Sequence, residues 1–339
     1  MKACILGCAG LTLSDEERAF FADARPWGFI LFARNIATAD QTRALIDSLR
    51  EAAGDEGTPV FVDQEGGRVQ RLRPPLARLR RPAGLFGALY ARDPEAALDA
   101  VRLNHRLIAE ELAALGFDAD CAPCVDLVFP DAHDIIGDRS YGEDPSVVAA
   151  LGRAAIDGLL AGGVAPVIKH IPGHGRALAD SHLSLPIVDS PLEVLEQTDF
   201  APFRALADAP MAMTAHVTYS AIDPHACATL SHRVIETVIR GYIGFDGLLM
   251  SDDLSMKALG GDFHARTRGA LDAGCDLVLH CNGDMAEMRP IADASPELSG
   301  RAAERAADAR AVGRKVQAFD AQAAEAHLAA LGLDGRAAA

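Results

Sequence analysis

Short apolar runs alternate along this chain with longer segments in which apolar residues recur at helical spacing. The runs are rich in β-branched and aromatic residues, and their length is that of short buried strands. We predict eight strands, at residues 4–8, 29–32, 60–62, 117–121, 164–168, 211–214, 248–250 and 277–279. Amphipathic, helix-like segments lie between most of these runs, so the pattern indicates about eight strand–helix units.

Eight alternating units predict an α/β fold in the form of a (β/α)8 TIM-type barrel, because such barrels close with this number of units. A doubly wound open sheet is the competing architecture, but no GxGxxG turn opens a helix after the first strand. Half of the 339 residues are apolar and no long linker interrupts them, so we predict a single domain over residues 1–339. The Ala/Arg-rich end, from about residue 296, is predicted to form one or two surface helices that close the barrel.

The densest group of reactive side chains is KHIPGHGRALADSH, at residues 169–182. It follows directly on a predicted strand and places a lysine, three histidines and an aspartate around two glycines, which favour an irregular loop. In a loop, the carboxylate of Asp180 can accept the imidazole N–H of His182 and stabilise its protonated form. The segment therefore suits a general acid/base, although the spacing alone fits solvated loop histidines equally well.

Further charged residues stand at the ends of other predicted strands. Asp252 and Asp253 follow residues 248–250, and neighbours on an extended chain point to opposite sides. Only one of the two is therefore expected to face a common site, and we favour Asp252. The other candidates at strand ends or in Gly-flanked loops are Asp63, Glu65, Arg68, Arg71, Arg139, Lys169, His170 and His216. Because active sites of barrels lie at the C-terminal ends of the strands, we expect these side chains to converge.

Five motifs in this order resemble glycoside hydrolase family 3: VDQEGGRVQRL, IGDRSYGEDP, KHIPGHG with the following DSH, MTAHVTY and SDDLSM. Within the family, the resemblance is to the single-domain bacterial β-N-acetylglucosaminidases of cell-wall recycling, and it runs from about residue 7 to residue 280. It implies a retaining exo-β-N-acetylglucosaminidase that removes GlcNAc from 1,6-anhydro-muropeptides through a covalent glycosyl–enzyme intermediate. It implies no cofactor and no metal. Ile171 stands where phenylalanine is more usual, and no catalytic role depends on it.

The resemblance also assigns roles to single positions. Asp252 matches the nucleophile, His182 the acid/base and Asp180 its dyad partner. The residues that match sugar-binding positions are Asp63, Arg71, Arg139, Lys169 and His170, whereas Glu65 is implied to support its loop. An imidazole with an ordinary pKa of about 6.5 can donate a proton to the leaving oxygen and then accept one from water near neutral pH.

Three other functions stay open on the sequence. A glycosidase of different sugar specificity, such as a β-glucosidase, is one, although its family relatives usually take the acid/base from a second domain. A metal-dependent amidohydrolase on the same barrel is another; its ligands would be His170, His182, His216 and Asp252. The sequence lacks the HxH pair that many such enzymes carry on the first strand. A non-catalytic sugar-binding protein is the third.

Composition narrows the setting. The formal net charge of −16 and the pI near 5.0 argue against nucleic-acid binding, and no apolar run approaches the ~20 residues of a membrane span. Seven cysteines at scattered spacings, without a recognisable export signal, predict free thiols in a reducing cytoplasm. We therefore expect a cytoplasmic monomer whose partner is a small-molecule substrate. Six arginines between residues 68 and 81 stand out, and we hypothesise that some attract the anionic part of a muropeptide.

Overall fold

Eight parallel strands close into a barrel in which each strand pairs with its neighbours in sequence and the last pairs with the first. The computed structural model describes residues 1–130, 132–177, 185–312 and 316–333. The barrel strands are β1 (Lys2–Leu6), β2 (Pro26–Leu31), β3 (Val60–Val62), β4 (Ala119–Asp120), β5 (Ala165–Ile171), β6 (Met211–Thr214), β7 (Leu248–Asp253) and β8 (Leu277–His280). The predicted barrel is thereby confirmed, and the open sheet is excluded.

Helices connect the strands and cover the outside of the barrel. Many begin at a side-chain cap; the hydroxyl of Ser14 and the carboxylate of Asp93 each accept a backbone N–H of the first turn. The α-helices are α1 (Asp15–Ala24), α2 (Ala39–Ala53), α3 (Ala83–Tyr90), α4 (Pro94–Ala113), α5 (Pro145–Ala161), α6 (Leu192–Gln197), α7 (Ala201–Ala205), α8 (Phe263–Ala273), α9 (Met285–Ala294), α10 (Gly300–Ala311) and α11 (Ala321–Ala330). A π-helix spans Val234–Tyr242, and short 3-10 turns lie at Ala33–Asn35, Gly137–Arg139 and Ala228–Leu230.

Short strand pairs decorate the loops. Gln64–Gly66 pairs antiparallel with Val69–Gln70 directly after β3, and Ile187–Val188 pairs parallel with Thr218–Tyr219. The antiparallel pair forms a hairpin that turns through Gly66 and Gly67, whose φ angles of 95° and 57° suit glycine. It folds the chain back at the C-terminal end of β3, next to the residues that follow this strand.

The two C-terminal helices have different positions. Ala306 and Ala309 of α10 pack into the apolar cluster that contains Trp27 and Phe61, at the N-terminal end of the barrel. Helix α11 packs against α4 instead. Of these two helices, α10 covers the end of the barrel and α11 does not.

Two strands extend further than the sequence predicted. We expected β5 to end before Lys169 and β7 before Asp252, but β5 continues to Ile171 and β7 to Asp253. Both boundary predictions were wrong, because main-chain pairing to the neighbouring strands continues: Lys169 stands opposite Met213, and Asp253 opposite Leu279. Polar side chains are tolerated in these extensions because Lys169, His170 and Asp252 line a polar cavity, and because the Asp253 carboxylate accepts hydrogen bonds from Ser255 and Cys281.

All seven cysteines are free thiols, including Cys121 and Cys124 of the CxxC sequence. Among the helices that the structure describes, none is long and apolar enough to cross a membrane.

Candidate active site

A cavity of about 330 Å³ opens at the C-terminal ends of the strands. Six of the predicted site residues line it, namely Asp63, Arg71, Arg139, Lys169, His170 and Asp252. The rest of the wall consists of Arg68 and the apolar side chains of Ile30, Val69, Ile135, Met213, Leu279 and Cys281. Side chains from distant parts of the chain therefore converge, as the strand-end argument predicted, on a space suited to a small polar ligand with one apolar face.

An ion-pair network forms one wall of this cavity. The Lys169 ammonium lies 2.8 Å from Asp63 Oδ1 and 2.7 Å from Glu65 Oε1. Arg71 Nη2 lies 2.9 Å from Asp63 Oδ2. Arg139 forms a two-point contact with Glu65, at 2.9 Å from Nε to Oε2 and 2.8 Å from Nη2 to Oε1. Each carboxylate is thus held between two cations, which orients all five side chains before a ligand arrives.

The network sets the protonation of its members. Burial raises the pKa of the Asp63 carboxyl, but Lys169 and Arg71 outweigh it and hold this pKa well below its usual range. Burial acts in the same way on Glu65, and Arg139 and Lys169 lower its pKa to about 2. Burial opposes the charge of Lys169, yet the two carboxylates raise its pKa above the ordinary value. The wall is therefore fully charged at neutral pH.

Asp252 and Asp253 have separate tasks. Asp252 lines the cavity, whereas the carboxylate of Asp253 accepts hydrogen bonds from the Ser255 N–H and hydroxyl and from the Cys281 N–H. The predicted divergence of the two side chains is confirmed. Burial raises the pKa of Asp252, but His216, His170 and the N–H of Asp253 reverse this, and the pKa lies below its ordinary value. Asp252 is an ionised carboxylate that faces open space, the condition for a nucleophile.

His170 is held by a residue that the sequence prediction missed. Its Nδ1 lies 2.6 Å from Oδ2 of Asp126, and Asp126 is fully buried. Asp126 stands six residues beyond β4, in a stretch to which the sequence analysis assigned no site residue. The sequence did contain a signal for Asp126. It follows the fourth predicted strand closely, and no other acid after that strand was assigned to the site.

Glu65 and Asp120 were also underestimated. Glu65 was assigned to its loop, but it binds both Arg139 and Lys169, which line the cavity, and so belongs to the ion-pair network. Asp120, at the end of β4, is fully buried and accepts the Gln64 N–H at 2.9 Å. Burial, reinforced by the carboxylates of Asp63 and Glu65, raises the pKa of Asp120 to about 8. The sequence offered no sign of this, since the apolar environment comes from other segments.

The other two histidines of the candidate set are buried. His216 has both ring nitrogens engaged, Nδ1 at 2.7 Å from the Thr229 hydroxyl and Nε2 at 3.1 Å from the Asp253 carbonyl oxygen. Burial lowers the pKa of His216, and its two hydrogen bonds hold the ring against the end of β7. The ring of His174 lies 5.5 Å from that of His170, and burial lowers the pKa of His174 to about 4.

Glycines after β5 are required by packing. A side chain at Gly175 would place Cβ 2.1 Å from the carbonyl oxygen of Leu127, and Gly173 has a φ of 143° with Asp199 close by. We predicted an irregular segment here, and residues 172–177 have no strand or helix structure. The predicted dyad, Asp180 and His182, lies outside the described residues.

The ligand set of an amidohydrolase is not assembled in the described part of the chain. His216 is engaged with Thr229 and Asp253, and the described cluster with metal-ligand spacing consists of Cys124, Asp126 and His170, with donor atoms within 4.8 Å of one another. The thiol and the imidazole of this cluster both contact Asp126. Asp252 is not part of it.

The chain is similar to known proteins over most of its length. The beta-hexosaminidase of Xanthomonas euvesicatoria pv. vesicatoria (strain 85-10) is 40% identical over 320 residues, 93% of this chain and 93% of the relative. The beta-hexosaminidase of Xylella fastidiosa (strain M12) is 40% identical over 320 residues, 93% and 92% of the two chains. NagZ from Neisseria gonorrhoeae, solved in complex with N-trifluoroacetyl-D-glucosamine, matches with a TM-score of 0.88 and 33% identity over 98% of each chain.

The family follows from these matches. The model of the glycosyl hydrolase family 3 N terminal domain matches residues 4–314, which include most of β1, the other seven barrel strands and the cavity. The expected class of enzyme, a hydrolase of glycosidic bonds, is confirmed with it. This chain belongs to glycosyl hydrolase family 3, and the part of that family it matches is the N terminal domain.

Proposed function

We propose that the protein is a retaining exo-β-N-acetylglucosaminidase that removes non-reducing GlcNAc from 1,6-anhydro-muropeptides in peptidoglycan recycling. The observation that carries this proposal is the position of the ionised Asp252 in a cavity whose wall is a charged, prearranged ion-pair network. The similarity to beta-hexosaminidases, and to a NagZ solved with an N-acylated glucosamine, supports the choice of sugar.

Asp252 is the nucleophile in the proposed reaction. Its carboxylate attacks the anomeric carbon, a covalent glycosyl–enzyme bond forms, and the bond to the leaving oxygen breaks. His182, paired with Asp180, donates a proton to that oxygen and then accepts one from the water that releases the sugar. The depressed pKa of Asp252 keeps it unprotonated for the first step.

The charged wall holds the sugar ring. Asp63 has a carboxylate that accepts hydrogen bonds from ring hydroxyls, and Lys169, Arg71 and Arg139 donate to hydroxyl oxygens. These groups already bind one another, so their positions change little on binding and the ring is presented to Asp252 in a fixed orientation. His170 contributes through the ring edge that is not bound to Asp126.

Covalent labelling tests the proposal most directly. The protein is treated with a 5-fluoro GlcNAc-type inactivator, digested and analysed by mass spectrometry. The label is expected on the peptide that contains Asp252, and a label on any other peptide contradicts the mechanism. Parallel assays with aryl β-GlcNAc and aryl β-glucoside show which sugar the enzyme prefers. Loss of activity in a chelator, with recovery on addition of zinc, would favour the amidohydrolase. Absence of all turnover would favour a sugar-binding protein.

His182→Ala tests the acid/base separately. Substrates with poor leaving groups need protonation of the leaving oxygen, so the variant is expected to lose on the order of 10²–10⁴-fold in kcat/KM on them. Substrates with a good leaving group should lose much less in the glycosylation step. Full activity of His182→Ala on a poor leaving group contradicts the assignment.

We further propose that the enzyme works in the cytoplasm as a monomer. The support is the set of seven free thiols, which fits a reducing compartment. Cell fractionation and light scattering of the purified protein test the two statements. Recovery outside the cytoplasm, or a stable dimer at micromolar concentration, contradicts them.

A further inference from the structure

The carboxylate of Asp126 accepts hydrogen bonds from three neighbouring residues. His170 contributes both its ring, with Nδ1 at 2.6 Å from Oδ2, and its backbone N–H at 3.1 Å from the same oxygen. The backbone N–H of His174 lies 2.7 Å from Oδ1, and the Cys124 thiol lies 3.4 Å from Oδ2. Four donor groups on one fully buried carboxylate leave its position tightly defined.

Strand pairing places Asp126 beside His170. The chain that follows β4 continues alongside β5, with the Val125 N–H donating to the Lys169 carbonyl at 2.9 Å and the Lys169 N–H donating to the Pro123 carbonyl at 3.2 Å. Cys124 and Lys169 form a parallel bridge in this stretch. The register therefore delivers the carboxylate to the imidazole without any contribution from local sequence around His170.

The geometry decides how the imidazole is presented. An ionised carboxylate only accepts hydrogen bonds, so Nδ1 of His170 carries the hydrogen and Nε2 is the nitrogen left for a ligand in the cavity. Burial raises the pKa of Asp126, but His170 and His174 outweigh it and lower this pKa to about 2. Asp126 thus stays ionised throughout the pH range in which the enzyme is assayed.

We propose that Asp126 is a positioning residue of the active site, which fixes the orientation and the tautomer of His170 for binding of the sugar. The proposal rests on the glycosidase function above. Asp126 itself does not line the cavity. Its effect on the reaction therefore passes through His170. In metal sites, a carboxylate that binds one ring nitrogen of a histidine likewise orients the other nitrogen toward the metal.

Asp126→Asn is the test variant. The amide has the same shape, but both oxygens of the Asp126 carboxylate accept hydrogen bonds from N–H groups. In either orientation the NH2 group of the amide therefore faces an N–H donor, and the His170 ring loses its defined orientation. We expect kcat/KM on 4-nitrophenyl β-GlcNAc to fall on the order of 10²-fold, and the inhibition constant of free GlcNAc to rise. The amount of folded enzyme is measured by circular dichroism and by titration with the inactivator.

The matched control is Asp276→Asn. Asp276 is also a buried carboxylate, bound to Arg240 and to the Leu249 N–H, but it precedes β8 at the opposite end of the barrel. This variant is expected to melt at a lower temperature with unchanged kcat/KM and unchanged GlcNAc inhibition. A loss of stability alone is in this way separated from a loss of positioning.

A double-mutant cycle with His170→Ala completes the test. When His170 is absent, Asp126→Asn should cost little further in kcat/KM, because the residue it positions is gone. Equal losses with and without His170, or a folded Asp126→Asn variant as active as wild type, overturn the proposal. Asp126→Glu, which retains the charge but displaces it by one methylene, replaces Asp126→Asn if the latter does not fold. Failure of the wild type to hydrolyse the substrate would instead overturn the proposed function.

Discussion

The two ends of the barrel use the same ion-pair chemistry with different results. At the C-terminal end, the Arg139–Glu65 pair has side chains 10% and 7% exposed, and Arg139 lines the open cavity. At the N-terminal end, Arg310 of α10 pairs with Asp55 at 2.8 Å. The cavity beside Arg310 measures about 130 Å³, and Trp27 and other apolar side chains line much of it.

The difference lies in how the charges are shared. Glu65 is bound by two cations, and Lys169 by two carboxylates, so removal of one group affects the others. Arg310 ties one helix to the barrel, and a single pair of this kind contributes little. Sharing alone does not mark an active site either, because Asp276 at the N-terminal end is bound by both Arg240 and Arg305. The network at the C-terminal end is distinguished by the open cavity that Arg71, Arg139 and Lys169 line.

The arginines between residues 68 and 81 divide between these roles. Arg71 belongs to the cavity wall. Arg80 instead binds Glu111 of α4 and Glu325 of α11. Arg68 pairs with Asp134 and Asp138. The hypothesised anion-attracting surface is therefore largely compensated by acids of the chain itself, and only Arg68 and Arg71 of the group line the cavity.

The largest effect is expected for Asp252→Asn. The amide is a poor nucleophile, so kcat should fall at least on the order of 10³-fold while the affinity for GlcNAc stays near that of wild type. Steady-state kinetics and GlcNAc inhibition provide the measurement. Asp253→Asn, which alters the neighbouring strand residue, should act mainly on stability through Ser255 and Cys281. Comparable loss of kcat in both variants would contradict the separation of the two aspartates.

Arg139→Met and Arg310→Met compare the two ends directly. Arg139→Met removes one of the two cations that hold Glu65 at the proposed sugar site, and we expect kcat/KM to fall by about 10–10²-fold, largely through KM. Arg310→Met should leave kcat/KM unchanged and cost at most about 1 kcal/mol of unfolding free energy. Equal kinetic effects of the two variants would remove the distinction between the ends.

Acid titration of stability probes the network as a whole. The pKa of Glu65 is about 2 in the folded protein against an ordinary 4.5, so this group stabilises the fold above pH 4.5. That contribution, up to about 3 kcal/mol, is lost as the pH falls toward 2. Glu65→Gln should be less stable at pH 7 and show a shallower loss between pH 4.5 and 3 in chemical denaturation. An unchanged slope would show that Glu65 is not held by Arg139 and Lys169.

The smallest effect is expected for Arg68→Ala. Arg68 lies 3.2 Å from Asp134 and 3.4 Å from Asp138, so it orders the loop beside the cavity more than it attracts an anion. KM should rise by about two- to fivefold for a neutral aryl substrate and for an anionic muropeptide alike. A rise confined to the muropeptide would restore the anion-attraction hypothesis. Arg73→Ala, at an exposed neighbour, is the control and should leave both values unchanged.

Local sequence was sufficient for the elements and for the site residues that follow them. The strand runs are continuously apolar and buried, and charged residues stand at their C-terminal ends. An error of a few positions in a strand boundary does not change which charged residues these are, as Lys169 and Asp252 show. The cavity-lining position of Asp63, Arg71, Arg139, Lys169, His170 and Asp252 was predictable because all barrel strands point their C-terminal ends to one side. The roles of these residues, and of Asp180 and His182, stay predictions.

Partners within the site were not predictable. Asp126 reaches His170 across 44 positions of sequence, and Glu65 reaches Arg139 across 74. No spacing rule links such pairs, because the register between neighbouring strands decides which side chains meet.

The sequence by itself determined that the chain alternates strands and helices and that its reactive side chains stand at strand ends, since both properties depend on residues close together in the chain. Only the tertiary structure decided which charges share a partner, that Asp126 orients His170, and that the pKa of Asp120 rises to about 8 whereas that of Glu65 falls to about 2. These depend on distance and burial, and closure of the barrel sets both.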